Sequence, residues 1–293
     1  SHLTGYKLMK KKKLVSIIGL GILGSTHKNW LEKNRKDLNI LTYDINKDCN
    51  STIEEIAKKS DYIFLCLPTD SKEGRLDILI VDSVVMEINK NNNCVPIIIR
   101  STLPIGYTQK LNNLYENYIF YVPEFLTERF AKIDFENNNR LIIGMPSIKK
   151  ITGIDIIKND IVDCFPKTEN LICCSSQEAE AIKLFTNSFY ALKVIFANEI
   201  YSLCSKIGIN YEDIVKVMVL DSRIGSDDKD SSGKDVHLRI AQDGLKGFGG
   251  KCLPKDILEL TNFMKQEKCG YGLLEKVIEI NNKLRNNNEE NNN

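Results

Sequence analysis

The sequence predicts an α/β fold: a parallel-sheet domain over residues 9–174, then an all-helical domain over 175–285 built on one long spine helix. Three observations predict it. Short β-branched apolar runs alternate with helix-period segments through the first part of the chain. A glycine-rich turn follows the first of these runs at once. From Gln177 to about Ile207 there is neither Gly nor Pro, and apolar residues recur at Ile182, Phe185, Phe189, Leu192, Phe196 and Ile200, three and four apart.

Taken in order, Leu14 to Gly19 is a buried strand, followed by Gly19-Leu20-Gly21-Ile22-Leu23-Gly24 and a helix to about Asn34. Asn39 to Tyr43 is a second strand, ending in Asp44, twenty residues past Gly24. This is a dinucleotide-binding (Rossmann-type) arrangement. Gly19 makes the tight turn, Gly21 admits a pyrophosphate, and Gly24 lets helix pack on strand. The backbone at Ile22 and Leu23 opens the helix that faces the phosphates. Asp44 takes the ribose hydroxyls and repels a 2′-phosphate, so NAD is expected rather than NADP, with Lys47 the one nearby cation against it. Ser51 to Lys59 is helical, with Ser51-Thr52-Ile53-Glu54 as a capping box. Strands follow at Tyr62–Leu67, Val95–Arg100, Tyr118–Val122, Leu141–Gly144 and Leu171–Cys174, with a helix over Asp77–Asn89. Polar loops follow several strand ends, where a parallel sheet builds its ligand crevice. Pro68, Thr69, Ser101 and Thr102 are therefore expected on the cofactor side. Beyond the spine, Tyr211–Leu220, Lys255–Gln266 and Leu273–Leu284 read as helices, and Ser226 to Val236 as a polar mobile loop.

Composition excludes several classes. Lys+Arg number 40 against 39 Asp+Glu, a formal charge of +1, so no basic field points to nucleic acid or an acidic membrane. No apolar run approaches a membrane span and no signal peptide is visible, so a cytoplasmic location is expected. Nine cysteines without a CxxC pair, and no His at ligand spacing, argue for free thiols and against a metal. Cys173-Cys174 reads as buried strand. Residues 1–8 read as an expression-vector scar and 286–293 as a disordered tail.

The stretch with most chemistry is Gly247-Phe248-Gly249-Gly250-Lys251-Cys252-Leu253-Pro254-Lys255-Asp256. Pro254 suits a first helical turn. Cys252 then sits at the positive end of a helix, which favours thiolate, and Asp256 lies one turn on. Taken alone, the stretch reads equally as a glycine turn leading into a helix. On the spine, Lys183 and Asn187 share a face and both are donors. A thiol, two donors for an oxyanion and carboxylates to move protons are the parts for oxidising an alcohol through a thioester.

Six ordered motifs carry a resemblance: the glycine turn, Ser101-Thr102-Leu103-Pro104, Pro123-Glu124-Phe125-Leu126-Thr127-Glu128, Lys183 to Asn187, Leu220-Asp221-Ser222-Arg223-Ile224-Gly225, and Gly247 to Asp256. In this order they resemble the UDP-glucose 6-dehydrogenase family (UDP-glucose/GDP-mannose dehydrogenases). The resemblance implies two hydride transfers from the sugar C6 to NAD, then hydrolysis to the uronic acid, with UDP-glucose as substrate. It implies that Cys252 captures the aldehyde and carries the thioester, and that Lys183 and Asn187 stabilise the oxyanion. Asp256 and Glu124 resemble the acid–base and hydrolysis carboxylates, and Thr102 helps position water. Glu128 resembles a cofactor contact. Phe125, Leu126, Thr127, Phe248, Gly249 and Gly250, with Glu124, Lys183, Asn187 and Cys252, resemble the substrate contacts. A homodimer through the 177–207 helix is implied as well.

The sequence departs from the pattern at Val122, where the family has Asn, and at Arg129, where it has Gly. The family normally adds a third, UDP-binding domain. Here the sequence reaches an Asn/Glu-rich tail soon after Leu284, and a short member lacking that domain is expected. The rival expectations are the same chemistry on a UDP-N-acetylhexosamine or GDP-mannose, a β-hydroxyacid dehydrogenase, and an inactive nucleotide-binding scaffold.

Overall fold

The computed structural model describes residues 12–147, 153–225 and 236–290, with the side chains of 236 and 287–290 excepted. The element order is β1 (Lys13–Ile18), α1 (Ile22–Asn34), β2 (Leu38–Tyr43), α2 (Ile53–Lys59), β3 (Tyr62–Leu65), β4 (Ser71–Lys72), β5 (Arg75–Leu76), α3 (Leu79–Asn91), β6 (Ile97–Ile99), α4 (Tyr107–Leu114), β7 (Ile119–Tyr121), α5 (Ala131–Glu136), β8 (Arg140–Met145), α6 (Ile154–Val162), β9 (Asn170–Ser175), α7 (Ser176–Ile207), α8 (Tyr211–Met218), α9 (Leu253–Gln266) and α10 (Leu273–Glu290). The chain divides into two compact units, residues 1–69 with 78–181, and residues 70–77 with 182–293.

The first unit is a seven-stranded sheet of order β2-β1-β3-β6-β7-β8-β9. The β1–β2, β1–β3, β3–β6, β6–β7 and β8–β9 pairs are parallel. The expected parallel sheet is interrupted at one join, where β8 runs antiparallel to β7. The order reverses at β1, whose successors lie on either side of it, and such a switch point opens a ligand crevice at the strand ends. β3, β6 and β7 are buried along their whole length, as continuous apolar strands covered on both faces should be. The edge strand β9 differs: Leu171, Ile172 and Cys173 are exposed, so the reading of Cys173-Cys174 as buried strand is corrected.

Glu180, in the first turns of α7, ties that helix to α4. Its carboxylate accepts the backbone N–H of Gly106 (2.5 Å) and Thr108 (2.7 Å) and the Thr108 hydroxyl (2.6 Å). Burial pushes its pKa up from 4.5 to about 7, against these hydrogen bonds, which favour the ionised form. Between those pH values the folded state keeps a proton that the unfolded chain has released. Stability contributed by Glu180 is therefore present below pH 4.5 and lost as pH rises to about 7, by roughly 3 kcal/mol in all. Buried His27 works the other way: burial and neighbouring Arg100 hold it well below 6.5, so it costs stability as pH falls below that value. The difference between parent and Glu180→Gln isolates the Glu180 slope. In urea unfolding from pH 4.5 to 7.5, the variant is expected to lose the downward trend.

In the second unit, two apolar clusters follow one another along α7. Ala191, Val194 and Ile195 pack with Phe248, Ile257 and Val277. Ala197 and Cys204 pack with Tyr211, Val215, Val219 and Leu238. Phe185, Phe189, Phe196 and Leu203 belong to neither and are about half exposed. The β4–β5 hairpin turns through Glu73 (φ 52°) and Gly74 (φ 80°), the two positive-φ residues of a type I′ turn. The sequence reading placed residues 70–77 in the first domain, but the hairpin packs on α9 in the second unit. Arg75 forks onto the carboxylate of Glu259, which is fully buried and also accepts the Leu76 N–H (2.8 Å). Asn262 donates to the Gly74 carbonyl (2.6 Å). The expected disordered tail begins too early, since α10 continues to Glu290. Residues 1–8, 291–293 and the expected loop over 226–235 lie outside the described residues.

Candidate active site

In the first unit the three glycines of the first turn have distinct surroundings. A Cβ on Gly19 (φ +93°) would lie 2.4 Å from the Cys66 carbonyl, and one on Gly24 would lie 1.8 Å from the Gly19 carbonyl. A Cβ on Gly21 would meet nothing within 4 Å. Gly19 and Gly24 are thus required by packing, and Gly21 leaves the mouth of α1 open. Gly21 is the N-cap of α1 and supplies no side chain to cap it, so the N–H groups around Ile22 and Leu23 present the positive end of the helix. Asp44, just past β2, accepts the Leu20 N–H (2.7 Å) and the Asn46 N–H (2.8 Å), which fixes the carboxylate beside the glycine turn. Lys47 bonds the Leu20 carbonyl. An open glycine, an uncapped helix start and an acid on the next strand fit a dinucleotide.

The neighbouring strand ends supply the other expected cofactor-side residues. The Ser101 hydroxyl accepts the Leu67 N–H (2.8 Å), joining the loops after β3 and β6. Thr69, Ser101 and Thr102 are buried and Pro68 is exposed. Glu124 follows β7, next to β6 in the sheet, and accepts the Leu126 N–H (2.6 Å). The Thr127 N–H is held by Asp134 (2.7 Å), so the backbone N–H groups of Leu126 and Thr127 are both fixed by carboxylates. Glu128 is exposed at the start of a 3-10 turn, and the Arg129 guanidinium lies over the Phe130 ring at 5.5 Å.

In the second unit Cys252 is the N-cap of α9, half-buried, with Pro254 in the first turn. Its carbonyl accepts the Asp256 N–H (3.1 Å), so thiol and carboxylate are set one turn apart, as expected from the sequence. Asp256 is fully buried. One oxygen accepts from Asn187 (2.6 Å) and the other from Lys255 (2.7 Å). Lys183, one turn before Asn187 on α7, is also buried. The structure therefore brings Asn187, Asp256 and Lys255 into one bonded group, with Cys252 on the helix that carries it.

The glycine loop is held by residues the sequence reading did not single out. The Asn281 side chain on α10 accepts the Phe248 N–H (2.7 Å) and donates to its carbonyl (3.1 Å), imitating a strand partner. Arg285 donates to the same carbonyl (3.1 Å) and pairs with Asp243 (2.8 Å). Asn198 accepts the Gly247 N–H (3.3 Å). Phe248, expected at the substrate, has its ring in the core and both backbone groups bonded to α10, which anchors the loop. At Gly247 and Gly249 a Cβ would fall 2.4 Å from Asn281 Oδ1 and Arg285 Nη2 respectively. The helix over Leu273–Leu284 is legible from its apolar spacing, but nothing in the sequence marks Asn281 or Arg285 as partners of the loop.

This fold and glycine turn define a dinucleotide-binding domain of the dehydrogenase kind, joined to a helical unit that carries an ordered thiol and carboxylate. The chain belongs to the UDP-glucose/GDP-mannose dehydrogenase family: residues 48–159 match its NAD binding domain and residues 177–283 its central domain. It is 32% identical over 235 residues to the UDP-glucose 6-dehydrogenase of Campylobacter jejuni, covering 79% of this chain and 55% of that one. The chain thus spans about half the length of the curated relatives it matches. A UDP-glucose dehydrogenase structure from Pyrobaculum islandicum superposes with a TM-score of 0.77 at 21% identity, over 93% of this chain and 68% of that one. A 3-hydroxyisobutyrate dehydrogenase from Mycobacterium tuberculosis shares the fold, with a TM-score of 0.71 at 15% identity over 92% of this chain and 93% of that one. Among the described residues no His, Cys, Asp and Glu side chains gather to hold a metal ion, and no helix is long and apolar enough to cross a membrane.

Proposed function

We propose that this chain oxidises UDP-glucose to UDP-glucuronate with NAD, through a covalent adduct on Cys252. The observation that carries the reading is the placement of Cys252 at the head of α9, one turn before a fully buried Asp256 bonded to Asn187 and Lys255. A simple hydroxyacid dehydrogenase would have no use for Cys252 in this constellation. NAD, when bound, accepts a hydride in each of two oxidations. The C6 alcohol gives up a proton to a carboxylate as it becomes an aldehyde. The Cys252 sulfur then bonds to that carbon, which keeps the aldehyde from escaping between the two oxidations. Loss of the second hydride leaves a thioester. Water attacks it, the C–S bond breaks, and the uronate leaves with the thiol restored. Lys183 and Asn187 donate to the oxyanion of the tetrahedral stages. Asp256 and Glu124 handle the protons and Thr102 the water, while the Phe125 to Thr127 backbone, Gly249 and Gly250 contact the sugar nucleotide.

The test is stoichiometry. Two NADH per UDP-glucose and a uronate product are expected, with NADP a poor substitute because of Asp44. A single NADH per sugar, or turnover of a hydroxyacid instead, would end the reading. UDP-N-acetylhexosamines and GDP-mannose are assayed in parallel, and the sugar with the highest kcat/KM defines the substrate.

The half-exposed Phe185, Phe189, Phe196 and Leu203 on α7 support a homodimer through that helix. Sedimentation is expected to show a dimer, and Phe189→Glu to shift it toward monomer. A parent chain sedimenting as a monomer would refute the assignment.

A further inference from the structure

We propose that Arg100 is a positioning residue that sets the charge of Glu124 across a cavity the two residues share. The proposal rests on the reading in which Glu124 handles protons and water.

Arg100 directly follows β6, and Glu124 follows the adjacent strand β7. Both line a cavity of about 30 Å³, with Phe125, Asp134, Arg140 and Phe165 among its other walls. Arg100 is only 5% exposed. Its guanidinium lies against two neighbouring rings, 4.9 Å from the centre of Phe165 and 5.5 Å from that of Phe135. Nη1 lies 3.3 Å from Nδ1 of His27, whose Nε2 is 2.9 Å from the Cys164 carbonyl. His27 is held neutral by burial, so it can accept from Arg100 and fix the guanidinium without adding charge. Arg100 Nε finds no hydrogen-bond partner among the described residues.

A buried cation needs a compensating charge. Burial disfavours the charged guanidinium, while the charge of Glu124 favours it, together with the side chains of Cys66, just past β3, and Tyr121 of β7. Burial raises the Cys66 thiol to about 12, so it is neutral near pH 7. Two other charged groups line this cavity. Asp134 of α5 holds the Thr127 N–H, and Arg140 of β8 lies 4.4 Å from the centre of the Phe125 ring. Glu124, which also accepts the Leu126 N–H, is the carboxylate whose charge favours the Arg100 guanidinium. The reverse influence holds Glu124 ionised, the form that can take a proton from water or alcohol.

The experiment is a titration of Glu124 by carbon-13 NMR of side-chain-labelled glutamate, assigned with Glu124→Gln. It needs no substrate, so it stands apart from the dehydrogenase reading, whose failure would show as absent NADH. Arg100→Met is expected to raise the Glu124 midpoint by about one pH unit, and Arg100→Lys to keep it near the parent value. The acidic limb of the kcat profile should move with the midpoint. If Arg100→Met does not fold, Arg100→Gln, which keeps a donor for His27, carries the same expectation. An unmoved midpoint in the neutral variant, or equal shifts in the lysine and neutral variants, overturns the proposal.

Discussion

Replacing Cys252 by Ala is expected to abolish uronate formation, by at least about a thousand-fold, on the order of 4 kcal/mol in the barrier. The size follows from what the thiol is asked to do. Without a covalent anchor the aldehyde is free to leave after the first oxidation, and no thioester exists for water to cleave. Cys252→Ser keeps the size of the side chain but replaces the sulfur with a poorer nucleophile and a poorer leaving group. It is expected to stall with adduct at the aldehyde level. Cys252 is half-buried at a helix N-cap and both substitutions are small, so both variants should fold. Uronate is measured by chromatography, NADH by absorbance, and NAD binding by titration. Undiminished uronate from Cys252→Ala would overturn the covalent mechanism.

The second large effect falls on stability. Glu259→Ala is expected to lower unfolding free energy by about 3–5 kcal/mol, the range for breaking a buried ion pair from one side. Glu259 is fully buried, while the Arg75 side chain is 41% exposed. Removing the acid leaves the Leu76 N–H without its acceptor and the half-buried Arg75 guanidinium with Gln266 but no counter-charge. Removing Arg75 instead strands a buried carboxylate, and Arg75→Ala should cost a comparable amount. The double substitution should cost less than the sum of the two single ones, because the stranded partner is gone. Chemical unfolding of the three variants measures it. Full additivity would show that the hairpin is held by other contacts.

Much of this molecule was legible because its signals are local. Gly19, Gly21, Gly24 and Asp44 lie within one strand–turn–helix–strand unit, and each has an immediate steric or electrostatic reason. Cys252, Pro254 and Asp256 lie within one helical turn. What was not legible depends on distant partners. Arg75 and Glu259 are 184 residues apart, and the two-residue strands of the hairpin are too short to show a period. Asn281 looks like its many Asn neighbours until its amide is seen bonding Phe248. On α7 the spacing of Phe185, Phe189 and Phe196 announced an apolar stripe but could not say that the core lies along Ala191, Val194 and Ile195 instead. Likewise the apolar run at β9 could not reveal that it lies at the sheet edge.

The amide of Asn281 has a consequence for how the protein is made. The loop that delivers Cys252 is complete in the nascent chain about thirty residues before its clamp, and chains emerge from the ribosome N-terminus first. Until α10 appears, Phe248 has no partner for either backbone group and the thiol has no fixed address. The Cys252 sulfur is therefore put in place by a segment synthesised after the one that carries it. A chain cut short before α10 would carry the thiol without the clamp that orders its loop.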